Sequence, residues 1–147
     1  MSEIFSVTLS LGSNIAPREE YLEKAISLIA QIPETEILKE SSKIETDPVD
    51  VPEEFSNQKF LNMALLVRTS LDPFVFSKAV HDIENVLGRV RQKRRNTPRT
   101  IDIDIITFGN LKITTSELTL PHPRAHERTF VTIPLEEIAP ECIALLK

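Results

Sequence analysis

Arg89-Val-Arg-Gln-Lys-Arg-Arg-Asn-Thr-Pro-Arg99 runs straight into Thr100-Ile-Asp102-Ile-Asp104-Ile-Ile106. The second half reads as a β-strand, because β-branched residues alternate with polar ones at a period of two. Side chains of a strand alternate between its faces, so Asp102 and Asp104 point one way while Ile101, Ile103 and Ile105 point the other way, into a core. Two neighbouring carboxylates repel unless positive charge sits between them. A hard divalent cation answers that need, since Mg²⁺ takes oxygen ligands and often uses only one or two carboxylates together with substrate phosphates. The basic segment just upstream supplies arginine forks that suit phosphate oxygens. The two halves together point to phosphoryl-transfer chemistry.

Outward from this strand the remaining elements fall into order. Upstream, Asp72-Pro73 opens a helix with Asp as N-cap and Pro in the first turn, and Gly88 stops it. Val75, Ala79, Val80, Ile83, Val86 and Leu87 are its expected apolar face. Phe60 to Thr69 reads as a strand. Asp47 to Asn57 reads as a loop with two prolines and four acids. Residues 35–46 read as another strand, preceded by a helix from Pro17 to about Ile32. At the start, Phe5, Val7, Leu9 and Leu11 alternate with polar residues as a half-buried strand, which Gly12-Ser13-Asn14 is expected to break. Downstream, a Gly109-Asn110 turn leads to a short strand at Leu111–Ile113, as in a hairpin. Leu120-Pro-His-Pro123 reads as a loop, and a last helix is expected from about Arg128 to Ile138.

The order strand, helix, strand, strand, helix, strand is that of an α+β, ferredoxin-like split βαβ fold. Helices then cover one face of an antiparallel sheet, and the other face is left to loops or to a ligand. The long connections at 47–57 and 88–99 are candidate active-site loops. With 147 residues and no linker, repeat or low-complexity stretch, residues 1–147 are expected to form one domain.

Charge narrows the function. Residues 89–99 hold five Arg, one Lys and no acid, while the chain as a whole carries −5, so the remainder carries −11. That acidic remainder disfavours nucleic acid and anionic membranes as partners. An RNA-binding reading of the basic loop also lacks stacking aromatics within it. The single cysteine, Cys142, excludes an intrachain disulfide framework and a multi-cysteine metal site, as suits the cytoplasm. No charged and apolar leader opens the chain, and no apolar run approaches the roughly 20 residues of a membrane helix. A P-loop and a G-x-G-x-x-G motif are both absent. His122 lies in a proline-stiffened loop, where a lone histidine is more often structural than catalytic. Asn62 interrupts the apolar run Phe60-Leu-Asn-Met-Ala-Leu65, so its amide either bonds the backbone or reads a polar heterocycle.

Several segments in order resemble one family, the hydroxymethyl-dihydropterin pyrophosphokinases of folate biosynthesis. They are Leu11-Gly-Ser-Asn14, Ser41-Ser42 with Thr46, Phe60-Leu-Asn62, Ile83-Glu84, Gly88-Arg-Val-Arg91, Pro98-Arg-Thr-Ile-Asp-Ile-Asp-Ile105, Phe108-Gly-Asn110, Pro121-His122, Arg128 and Pro134-Leu-x-x-Ile-Ala-Pro140. The resemblance implies a ferredoxin-like fold and transfer of diphosphate from ATP to the pterin hydroxymethyl group, with AMP as the second product. It implies that Asp102 and Asp104 are ligands of Mg²⁺, two ions entering with ATP. Arg89, Arg91 and Arg99 match catalytic and ATP-binding arginines, and Glu84, Arg95, His122 and Arg128 match further ATP positions. Thr46, Val49, Phe60, Asn62 and Phe130 match the pterin pocket, with Asn62 on the aminopyrimidinone edge and Phe130 and Phe60 against the ring. ATP and the pterin are the implied partners, and a monomer is expected. The chain departs from residues frequent in the family at Asp47, Asn96 and Thr97.

Overall fold

In a computed structural model of the protein, described for residues 3–47, 59–88 and 101–146, an antiparallel sheet is built from five strands. They are β1 (Phe5–Ser13), β2 (Thr35–Glu40), β3 (Ile44–Thr46), β4 (Phe60–Thr69) and β5 (Asp102–Phe108), joined by α1 (Arg18–Ala30) and α2 (Pro73–Val86). The order across the sheet is β2-β4-β1-β5, with β3 also pairing to β4. This is the expected ferredoxin-like topology. β1 sits centrally because its residues pair with β4 on one side and β5 on the other.

Helices α1 and α2 cover one face. Leu22, Ala25, Ile26 and Ile29 of α1 and Phe76, Val80 and Ile83 of α2 pack there on Val7, Leu9, Leu11, Met63, Leu65, Ile101, Ile103 and Ile105. Phe108 anchors the far end, with its ring centroid 5.0 Å from Phe5 and 5.8 Å from Phe76. Asp72 caps α2 by accepting the Phe74 N–H at 2.8 Å, and Gly88 takes the left-handed conformation (φ 86°) that ends it. The inward stripe of α2 differs from the expected one. Pro73, Phe76, Ser77, Val80, Ile83 and Glu84 are buried, whereas Val75 and Val86 are 53% and 73% exposed. Phe76, the bulkiest apolar residue near the helix centre, sets the stripe, and spacings of three and four follow from it.

The second face is not left to loops. Helix α3 (Thr129–Ile138) and a 3-10 helix at Pro140–Leu146 lie over it and bury Ala64, Ile106, Val131, Leu135, Ile138, Cys142 and Leu146. β1 is therefore not half-buried. Thr8 and Ser10, its polar residues on this side, are 2% and 5% exposed. The Thr8 hydroxyl is satisfied by Thr107, whose Oγ1 lies 2.7 Å away and whose N–H it accepts at 3.1 Å, beside a bulge in the β1–β5 ladder.

Three local expectations are corrected. Gly12 and Ser13 do not break β1 but pair with Asn62 and Leu61 as part of the strand. The strand foreseen at 35–46 is two strands, because the ladder changes at Ser41: its N–H still donates to Ala64 O at 3.0 Å, but its hydroxyl in place of its carbonyl accepts the Ala64 N–H at 2.8 Å, and Ser42 turns to the Glu137 carboxylate of α3. The hairpin foreseen around Gly109 forms one step later, between β6 (Ile113–Thr114) and β7 (Thr119–Leu120). Gly109, at φ 58°, instead turns the chain so that its N–H donates to Ser6 O at 2.7 Å. Among the described residues no helix is long and apolar enough to cross a membrane.

Candidate active site

The α3-side face of the sheet is apolar where α3 covers it and polar beyond. Along β4 the face reads Phe60, Asn62, Ala64, and along β5 it reads Asp102, Asp104, Ile106, each at the two-residue repeat of a strand. Ala64 and Ile106 lie under α3. Asn62 and Asp102 both pair with Gly12 of β1, from opposite sides. Ser10 of the same strand pairs with both Ala64 and Asp104. Strands lie about 4.8 Å apart, so one row places Asn62 and Asp102 about 10 Å apart with a glycine between them. That span suits a fused bicyclic ring with a short arm.

Gly12 has no side chain because none fits. A Cβ there would lie 2.7 Å from Asn62 Oδ1 and 3.3 Å from Phe60 Cδ1. Asn62, 3% exposed, donates through Nδ2 to Thr46 Oγ1, and Thr46 pairs with Phe60 across β3 and β4. Three residues expected at the pterin pocket thus form one contiguous group, and the Asn62 amide bonds a side chain instead of the backbone. Arg18 braces the neck of this group by donating to Lys59 O at 3.0 Å and Glu45 Oε2 at 2.7 Å. Val49 lies outside the described residues, as do Arg89, Arg91, Arg95 and Arg99.

Two residues expected at the nucleotide site, His122 and Arg128, lie between β5 and α3. The His122 N–H donates to Ile106 O at 2.9 Å, which ties the Pro121–Pro123 turn to this strand. Burial, foremost, and then the Arg128 guanidinium hold His122 below its ordinary pKa, with Arg124 adding to this and Asp102 opposing it. The ring is therefore neutral at pH 7. Its Nδ1 accepts the Arg124 N–H at 3.3 Å, so the proton resides on Nε2, available as a donor. Arg128 stands before α3 with its guanidinium carbon 5.6 Å from the Phe130 ring centroid, and Phe130 rests half-buried against the α3-side core.

The unfolded chain takes up a proton on His122 near pH 6.5, before the folded chain does, so folding is favoured above that value and loses stability as the pH falls from 6.5 towards the lowered folded pKa. Thermal denaturation from pH 7.5 to 5.0 is expected to fall more steeply for wild type than for His122→Gln. Parallel curves would remove this role.

Glu84 does not join the face. Its carboxylate, 2% exposed, accepts the Ile103 N–H at 2.8 Å on the flank of β5 that no described strand pairs. A buried carboxylate needs such a donor, and the backbone supplies one here. Its place was readable: Phe76, Val80 and Glu84 recur at intervals of four on the buried stripe of α2. Gly12 was missed as a site residue because a glycine after an alternating run reads as a turn.

Among the described residues no group of three or more His, Cys, Asp or Glu is arranged to hold a metal. Two carboxylates on one strand face, without nitrogen or sulfur donors forming a cage, fit a hard ion that completes its shell with water and phosphate, and do not fit structural zinc.

Comparison with known proteins is consistent with this geometry. Residues 8–140 match the family model for 7,8-dihydro-6-hydroxymethylpterin-pyrophosphokinase. The chain is similar to the 2-amino-4-hydroxy-6-hydroxymethyldihydropteridine pyrophosphokinase of Bacillus subtilis (strain 168), at 46% identity over 88% of this chain and 75% of that protein. It is similar to the Haemophilus influenzae protein of the same name at 34% identity, over 92% of this chain and 82% of that one. Among solved structures, Plasmodium falciparum HPPK-DHPS with pteroate superposes with a TM-score of 0.73 at 16% identity, which bears on the fold alone; it covers 96% of this chain and 40% of that chain. The chain thus spans about two fifths of that larger protein.

Proposed function

The chain belongs to the 7,8-dihydro-6-hydroxymethylpterin-pyrophosphokinase family, and from that premise we propose how its residues carry out the reaction. The reaction is transfer of diphosphate from ATP to the hydroxymethyl group of 6-hydroxymethyl-7,8-dihydropterin, giving the pterin diphosphate and AMP, in folate biosynthesis. The observation that supports the assignment of roles is the row Asn62–Gly12–Asp102, which sets a buried amide and a half-buried carboxylate on one sheet face.

Asn62 reads the aminopyrimidinone edge with its acceptor and remaining donor, its orientation held by Thr46. Phe60 and Phe130 bound the ring, with Val49 completing the pocket. Asp102 and Asp104 hold Mg²⁺, two ions arriving with ATP. The chemistry such an ion would supply there is Lewis-acid neutralisation of phosphate charge. His122 donates from Nε2 to a phosphate oxygen, and Arg128 adds positive charge beside it. Arg89, Arg91, Arg95 and Arg99 bind the triphosphate and offset the charge that develops between the attacked β-phosphorus and the departing AMP. Phosphoryl transfer depends mainly on positioning and electrostatics, so no strong general base is required. The enzyme acts as a cytoplasmic monomer.

Incubation with ATP, Mg²⁺ and the pterin, with a no-pterin control, tests this reading by chromatography. AMP that appears only with pterin is expected. ADP, or no nucleotide turnover, would refute it. Arg91→Ala is expected to lower kcat about a hundredfold while KM changes little, because an interaction made in the transition state is lost. An effect confined to KM would contradict that role.

A further inference from the structure

Asp102 and Asp104 lie on the edge strand of the sheet, where one flank has no strand partner among the described residues. Strand edges twist and shift more easily than central strands, and a pair of metal ligands two residues apart inherits any such movement. The residue between them, Ile103, is tied on its β1 side by pairing with Leu11 and by its buried side chain. On its outer side its N–H is held at 2.8 Å by Glu84 Oε2. Glu84 is itself fixed. It is 2% exposed, it closes the buried stripe of α2, and that helix is capped by Asp72 and packed through Phe76, Val80 and Ile83 into the main core.

We propose that Glu84 is a positioning residue, which holds the Asp102–Asp104 backbone in the register the metal ligands require through its bond to the Ile103 N–H. It works as an acceptor from the helix side of the strand, through the bond to the Ile103 N–H. An α-helix flank thereby supplies the hydrogen bond that a further strand would otherwise give. The inference rests on the proposed metal role of Asp102 and Asp104 and deepens it. The Ile103 bond itself can be read without any metal.

The test compares wild type, Glu84→Ala and Glu84→Gln. Glutamine keeps the carbonyl acceptor and nearly the same volume. Hydrogen exchange of the Ile103 amide, followed by NMR, is expected to quicken at least tenfold in Glu84→Ala and to stay within about threefold of wild type in Glu84→Gln. Mn²⁺ binding with a non-hydrolysable ATP analogue, read by electron paramagnetic resonance, is expected to weaken about tenfold in the alanine variant only. Its kcat should fall while KM for the pterin holds. Unchanged Ile103 exchange in Glu84→Ala would overturn the proposal, as would faster exchange with unaltered Mn²⁺ binding. A glutamine variant as impaired as the alanine variant would also overturn it, because charge, and not the acceptor, would then matter. Should Glu84→Ala fail to fold, the glutamine variant alone decides, by the same two readouts. Wild type that takes up no Mn²⁺ with the analogue, its Ile103 amide still protected, would overturn the metal reading and this inference with it.

Discussion

Asp102→Ala and Asp104→Ala are each expected to lose at least about a thousandfold in turnover, with the fold retained. Charge stabilisation by a bound metal is worth several kcal/mol in phosphoryl transfer, and each 1.36 kcal/mol is tenfold in rate. Either deletion leaves a single carboxylate, too little to hold the ion beside the phosphates. Stability should change little, because both side chains are half-buried on the edge strand and neither belongs to the apolar core. Steady-state AMP formation and a thermal unfolding curve check both halves. Activity within tenfold of wild type would end the metal role.

Gly12→Ala is expected to weaken pterin binding by about 10- to 100-fold, which corresponds to about 1.4–2.7 kcal/mol. The added Cβ would stand 2.7 Å from Asn62 Oδ1, closer than such contacts allow. Asn62 has little room to give way, since it is buried and held by Thr46. Phe60, at 3.3 Å, limits movement on the other side. The methyl would therefore tilt the amide, and with it the heterocycle-reading edge. Affinity for a non-hydrolysable ATP analogue should change less than about threefold, because the row's other neighbour, Asp102, meets Gly12 through the strand ladder. Calorimetric titration with each ligand separates the two effects. Wild-type pterin affinity in this variant would show that Gly12 is not the floor of the pocket.

Much of the architecture was legible along the chain. The strand at 102–108, the Asp72-Pro73 cap, the Gly88 stop and the order of elements rest on local alternation and capping chemistry, which depend little on distant residues. The pairing of Asp102 with Asp104 on one face follows from strand geometry alone. Misreadings arose where distant contacts decide. Val75 and Val86 are apolar yet exposed, because Phe76 sets the phase of α2. Ser41 ends β2 because Ala64 and Glu137 offer partners from other elements. Thr8 and Ser10 are polar yet buried, because α3 and the C-terminal 3-10 helix return to cover their face.

By itself the sequence determined the ferredoxin-like order of elements, the acid pair on a strand face, the basic segment beside it and, through its motifs, the family. These are periodic or contiguous properties, carried by neighbours in the chain. Only the tertiary structure decided that Gly12 lies between Asn62 and Asp102, that Thr46 orients Asn62, and that Glu84 faces a backbone N–H. Each of those depends on which strands pair and in what register, and register is set by the burial of two opposed faces at once.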